Sequence, residues 1–175
     1  MKVLLHTCCA PCASASIERL KRLNFDVTLF FANSNIDTEE EYNKRLNEVA
    51  RLAHHDNVEL ITLPYDHDEW LENVAKGLEN EPEKGQRCNK CFWYNLKKTE
   101  NYAKIHGFNK FSTSLTISPH KISENIFSAN DSELFLKENF KKNDGFKRSL
   151  ERSNQLQLYR QNYCGCEFSK NKKFP

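Results

Sequence analysis

No run of about 18 apolar residues occurs in the chain, so no segment is long enough to cross a bilayer as a helix. The N-terminus has only Val3-Leu4-Leu5 as an apolar stretch and lacks the charged, hydrophobic and small-residue regions of a secretory signal. A cytoplasmic protein with no membrane partner is expected. Internal repeats, low-complexity tracts and linkers are also missing, and 175 residues suit one domain with a real core. Glycine is scarce, with five in all, and none stands in the turn after the first apolar run. That turn holds thiols instead, in His6-Thr7-Cys8-Cys9-Ala10-Pro11-Cys12.

The seven cysteines fall in three short motifs: this one, Cys88-Asn89-Lys90-Cys91, and Cys164-Gly165-Cys166. In a reducing compartment such clusters point to metal or redox chemistry rather than structural disulfides. Thiolates suit zinc and iron–sulfur centres, and Cys8, Cys9, Cys88 and Cys91 together make four ligands for either. Adjacent cysteines on an extended backbone point to opposite sides, which favours a bulky cluster over one tetrahedral ion. With a single glycine between them, Cys164 and Cys166 can close only a small, strained disulfide ring, of the reducible kind, or else ligate a metal.

Strands and helices alternate along the chain. Val3–Leu5, 27–31 and 58–63 read as strands, and 111–115 as a fourth. Helical spacing marks 13–23, with Pro11 in the first turn, a helix capped by Thr38, another capped by Asp66 that carries Trp70 to Leu78, and one from Phe92 to Gly107. Ser118-Pro119 reads as the start of a further helix, and Asp131 as the cap of one reaching Phe140. This alternation predicts a single α/β domain over 1–175 with a three-layer, mainly parallel sheet and a basic, helical C-terminal portion from about 120 to 175. Residues 1–136 carry a net charge of −4 and residues 137–175 one of +6. Lys141, Lys142, Lys147, Arg148, Arg152 and Arg160 form a candidate footprint for a polyanion, with Phe140, Phe146 and Tyr159 among them as candidate stacking rings.

Four segments resemble signatures of the epoxyqueuosine reductase QueH family: His6 to Cys12, Glu81 to Phe92, Thr113 to His120, and Gln161 to Ser169. The stretch from Phe31 to Tyr42, with Asn33-Ser34-Asn35-Ile36, resembles the family's second loop. The resemblance implies a fold similar to the adenine-nucleotide α-hydrolase (PP-loop) superfamily. It implies cobalamin-independent removal of the epoxide oxygen from epoxyqueuosine at the wobble position of tRNA, with an external electron donor. Carried onto this chain, it makes Cys8, Cys9, Cys88 and Cys91 the ligands of a [4Fe–4S] cluster and Cys164 and Cys166 a redox-active pair. Cys12 is a candidate ligand for a second, mononuclear iron or zinc. The Ser-Gly-Gly-x-Asp-Ser loop that binds ATP pyrophosphate in that superfamily is missing, so no ATP use is expected. His6, Asp66 and Tyr163 are candidate proton sources. Two rival readings are a zinc-stabilised RNA-binding module without catalysis and a PP-loop-like sulfur-transfer enzyme acting on tRNA.

Overall fold

The computed structural model describes residues 1–170; the last basic residues of the expected C-terminal portion, Lys172 and Lys173, lie outside the described residues. Four parallel strands form one sheet in the order β3-β2-β1-β4. They are β1 (Lys2–His6), β2 (Asp26–Phe31), β3 (Glu59–Thr62) and β4 (Lys110–Thr113). The strand–helix alternation dictates this arrangement, because each parallel pairing needs a crossover. Strands β1 and β2 are buried on both faces after their first residue, as their continuous apolar runs require. Val3, Leu5, Leu29 and Phe31 face one layer; Leu4 and Phe30 face the other.

The first layer holds α1 (Ala10–Arg22) and α2 (Glu39–Asp56), with α6 (Gly145–Gln155) packed on α1. The second holds α4 (Gln86–Ile105) and α5 (Ser123–Ser128). Pro11 lies in the first turn of α1, and Leu23, expected on its apolar face, is instead its exposed C-cap. Thr38 Oγ1 accepts from the Glu41 amide at 3.2 Å to start α2, and Asp66 Oδ1 accepts from the Glu69 amide at 2.8 Å to start α3 (His67–Trp70). The helix expected to run on to Leu78 instead widens into a π turn at Leu71–Ala75.

Two expected helices give way to other structure. Residues 131–140 are not helical, because their backbone is claimed by the open edge of β4. Phe111 N–H donates to Leu134 O at 2.9 Å, Leu136 N–H donates to Phe111 O at 2.8 Å, and the Phe111 and Phe135 rings stack at 5.0 Å. The segment thereby covers a sheet edge. Ser118-Pro119 ends a 3-10 turn (Ser114–Ile117) rather than starting a helix; the Ser118 hydroxyl accepts from the His120 amide, and α5 begins at Ser123. No helix among the described residues is long and apolar enough to cross a membrane.

Candidate metal and redox centre

The chain winds from β1 outward to β3 and then returns to place β4 on the other side of β1. The carboxyl ends of β1 and β4 therefore flank a topological switch point, where open parallel sheets bind ligands. Cys8 follows β1 there, and its amide donates to Ser114 Oγ, just after β4, at 3.2 Å. Cys9 is the N-cap of α1 and Cys12 lies in its first turn. The sulfurs of Cys8, Cys9 and Cys12 all lie within 4.8 Å of one another. Cys8 and Cys9 are not splayed to opposite sides as expected: the chain bends at Cys8, and their sulfurs stand 3.9 Å apart.

Bonds from Cys12 and Cys8 hold the Cys9 sulfur well below the usual thiol range, against the cost of its burial. The same bonding, with burial, pushes Cys12 well up. Cys8 is also pushed up, to about 12: Cys12 pulls it down, but bonding to Cys9 and burial outweigh that. The sulfur whose pKa is lowered is thus the one at the helix N-terminus, where the backbone amides favour a thiolate.

Cys88 and Cys91 open α4. The Lys84 amide donates to Cys88 Sγ at 3.2 Å, and Asn95 Nδ2 approaches Cys91 Sγ at 3.5 Å. Burial raises both thiols. The loop before them is wrapped around Arg87, whose guanidinium donates to the carbonyls of Leu78, Glu79 and Glu81 and lies over the Phe168 ring. Cys164-Gly165-Cys166 is pinned from α2. Arg45, buried and paired with Glu41 at 2.7 Å, donates to Cys164 O at 2.9 Å, and the Asp37 amide donates to Gly165 O at 2.9 Å. Gly165 has φ +148°, and an added Cβ would lie 3.1 Å from Asn35 Nδ2, so only glycine serves between the two thiols. All seven cysteines are free thiols.

These pieces meet at two adjoining cavities. A cleft of about 700 Å³ is lined by Cys8, Cys12, Cys91 and Cys164 together with His6, Asn95, Lys121, Arg160 and Tyr163. A smaller, mainly apolar chamber of about 50 Å³ lies against Cys88, Cys91, Cys164 and Cys166. Cys91 and Cys164 therefore belong to both. Lys121 also lines both; burial opposes its charge, but the neighbouring sulfurs, Cys164 foremost, outweigh that and push its pKa up. Sequence reasoning stopped at His120 and missed Lys121, the next residue. It also passed over Arg45 and Asn95, which carry no thiol and sit inside ordinary helical spacing.

Of the proton-source candidates, Asp66 is taken up as a helix cap. His6 lines the cleft but is neutral, its pKa lowered to about 4 by burial. Tyr163 lines the cleft and donates its hydroxyl to Asp37 at 2.8 Å. The residues of the basic footprint differ in their surroundings. Arg152 is buried, donating to Asp56 at 2.6 Å and to Ser14 O at 2.9 Å; Arg148 grips Glu18 through two 2.8 Å bonds. Their charges are thus already matched within the fold. Lys141 donates to Lys121 O, Lys142 and Lys147 are exposed, and Arg160 lines the cleft. Phe140 is core, and the Tyr159 hydroxyl bonds Glu41 beneath the Lys44 amine.

The protein is thus of the parallel α/β class, and the thiol cluster at its switch point is a donor set that could hold a metal ion. The fold resembles the U34-tRNA thiolase NcsA from Methanococcus maripaludis, solved with its [4Fe-4S] cluster, at a TM-score of 0.55 and 9% identity over 91% of this chain and 58% of that one. The chain belongs to the epoxyqueuosine reductase QueH family, whose profile matches residues 3–172. It is 39% identical to epoxyqueuosine reductase QueH of Streptococcus pyogenes serotype M1 over 95% of this chain and 69% of that protein. It is 42% identical to the Acinetobacter baylyi protein of the same name, over 96% and 80%.

Proposed function

We propose that this protein reduces epoxyqueuosine to queuosine at the wobble position of tRNA, the last step of queuosine biosynthesis, without cobalamin or ATP. Family membership supports the reaction. The observation that carries the chemistry is the meeting of Cys8, Cys12, Cys91 and Cys164 on one cleft. Their donor chemistry fits a soft metal centre. The 3.9 Å between the Cys8 and Cys9 sulfurs is close to the edge of a single-ion tetrahedral thiolate site, roughly 3.8 Å for metal–sulfur bonds near 2.3 Å; the [4Fe–4S] assignment rests instead on the family resemblance.

Cys8, Cys9, Cys88 and Cys91 would hold a [4Fe–4S] cluster and Cys12 would ligate a second mononuclear iron or zinc, supplying one-electron steps and a Lewis acid. Removing the epoxide oxygen as water takes two electrons and two protons. Oxidation of the Cys164 and Cys166 thiols to a disulfide releases two of each, so the pair can hold one turnover's worth between visits of an external electron donor. Lys121 places positive charge beside the sulfurs and beside whatever oxyanion develops in the cleft. Lys142, Lys147 and Arg160 remain as tRNA phosphate contacts.

Anaerobic reconstitution followed by an assay on epoxyqueuosine-containing tRNA tests the reading. Brown protein with broad visible absorbance and conversion to queuosine supports it. Colourless protein with stoichiometric zinc and no conversion favours an RNA-binding module, and ATP consumption during turnover favours sulfur transfer.

A further inference from the structure

Three six-membered rings, those of Phe92, Phe146 and Tyr163, line the large cleft. Two of them are held by other contacts. Phe92 packs against the apolar core around Leu4, Phe30 and Leu115. Tyr163 donates its hydroxyl to Asp37, and the Arg45 guanidinium lies 5.1 Å from its ring centre. Phe146, in the first turn of α6, is half-buried and joins none of the three apolar clusters. Its ring meets no other ring or cation among the described residues. Lys147, next in the helix, is exposed, and Arg160 lines the same cleft; neither has a carboxylate partner among the described residues. A phenyl ring left at an open cleft forgoes the free energy that full burial would give it. An open π face with unmatched cations near it is the makeup of a stacking platform for a nucleic-acid base.

We propose that Phe146 stacks on the deazaguanine of the modified nucleotide after that nucleotide has swung out of the anticodon loop. This rests on the function proposed above. A cleft of about 700 Å³ is the size of a site for one small molecule, so it admits one nucleotide and not a loop with its bases stacked. Chemistry at the sulfurs that line it therefore requires the nucleotide to leave the stack. The epoxide sits on the cyclopentane ring, which an aminomethyl link separates from the base. With the cyclopentane at the sulfurs, the deazaguanine trails behind it and has lost its neighbours in the loop. Phe92 adjoins Cys91 and so stands with the thiols, and the Tyr163 ring is taken by Arg45. Phe146 is the ring left to replace the lost stacking, with Lys147 and Arg160 close enough in the fold to serve the flanking phosphates.

The test compares anticodon stem–loops in their binding to the cluster-loaded protein under anaerobic conditions. One carries guanine at the wobble position; the others are abasic there or at either neighbouring position. Guanine offers the same kind of ring face as deazaguanine without the reactive side chain, so binding is read without turnover. Phe146→Leu should weaken binding of the guanine stem–loop about tenfold and leave the wobble-abasic one within twofold of wild type. Phe146→Trp should bind the guanine stem–loop at least as tightly as wild type does. Should Phe146→Leu not fold, Phe146→Met takes its place with the same expectation. Equal losses for the guanine and wobble-abasic stem–loops, or no loss for either, overturn the assignment. A loss that persists without the wobble base and vanishes without a neighbouring one gives the ring to a different base and also overturns it. All three results leave conversion by wild type standing. A wild-type protein that converts no epoxyqueuosine overturns the functional reading and this inference with it.

Discussion

At the scale of single residues, the buried ions are the points where the structure is most exposed to change. Glu100 on α4 is 4% exposed and holds Lys104, Lys97 and Asn130. Burial pushes its carboxyl pKa up, but those three partners outweigh this and bring it from 4.5 to about 2. A folded-state value below the unfolded one stabilises the fold above pH 4.5, and that stabilisation disappears as pH falls toward 2. Glu100→Gln should therefore lose on the order of 3 kcal/mol at pH 7, with the gap to wild type closing between pH 4.5 and 2 in urea titrations. Arg45→Met should cost about 3 kcal/mol by stranding Glu41, and should speed alkylation of Cys164 because its carbonyl is no longer held; Arg45→Lys should restore only part of either. The thiols themselves were plain in the sequence because cysteine clustering needs no tertiary information. Lys121, Asn95 and Arg45 were not, since a lysine after a turn or a polar residue inside a helix acquires meaning only from what the fold sets against it.

At the scale of elements, the sequence was most readable where a side chain acts on its own neighbours. Thr38 and Asp66 cap the helices they were expected to cap, because an N-cap bond spans only three residues. Asp66→Ala should lower stability by about 1 kcal/mol in chemical denaturation. It should also loosen α3, whose His67 ties Ser34 O at 2.8 Å to Glu167 at 3.3 Å. Reading failed where distant backbone decides. Asp131 to Phe140 has acceptable helical spacing, but the unpaired edge of β4 offers it hydrogen bonds that a helix would have to forgo. Ser118-Pro119 likewise has the residues of a helix start, yet the preceding 3-10 turn uses them as its end.

At the scale of the whole molecule, the expected parallel sheet and the drift of charge toward the C-terminus are both present, but much of that positive charge is internally matched. Arg148 and Arg152 answer Glu18 and Asp56. tRNA affinity should fall as salt rises, and Lys147→Glu should reduce the slope of log K against log salt by about 1, whereas Arg152→Glu should unfold the protein, as a melting curve would show. The strand order has one more result. Of the four strands, β1 is made before the others yet is an interior strand, flanked by β2 and by β4, and the Cys8 amide waits for Ser114. Cys164, pinned through Arg45, emerges later still. A nascent chain thus carries Cys8, Cys9 and Cys12 without the walls that later enclose them until Ser114 and Cys164 have been made. A metal held between these walls could be enclosed only after Cys164 has been made, and premature capture of an ion by Cys8, Cys9 and Cys12 is the error this order of synthesis would invite.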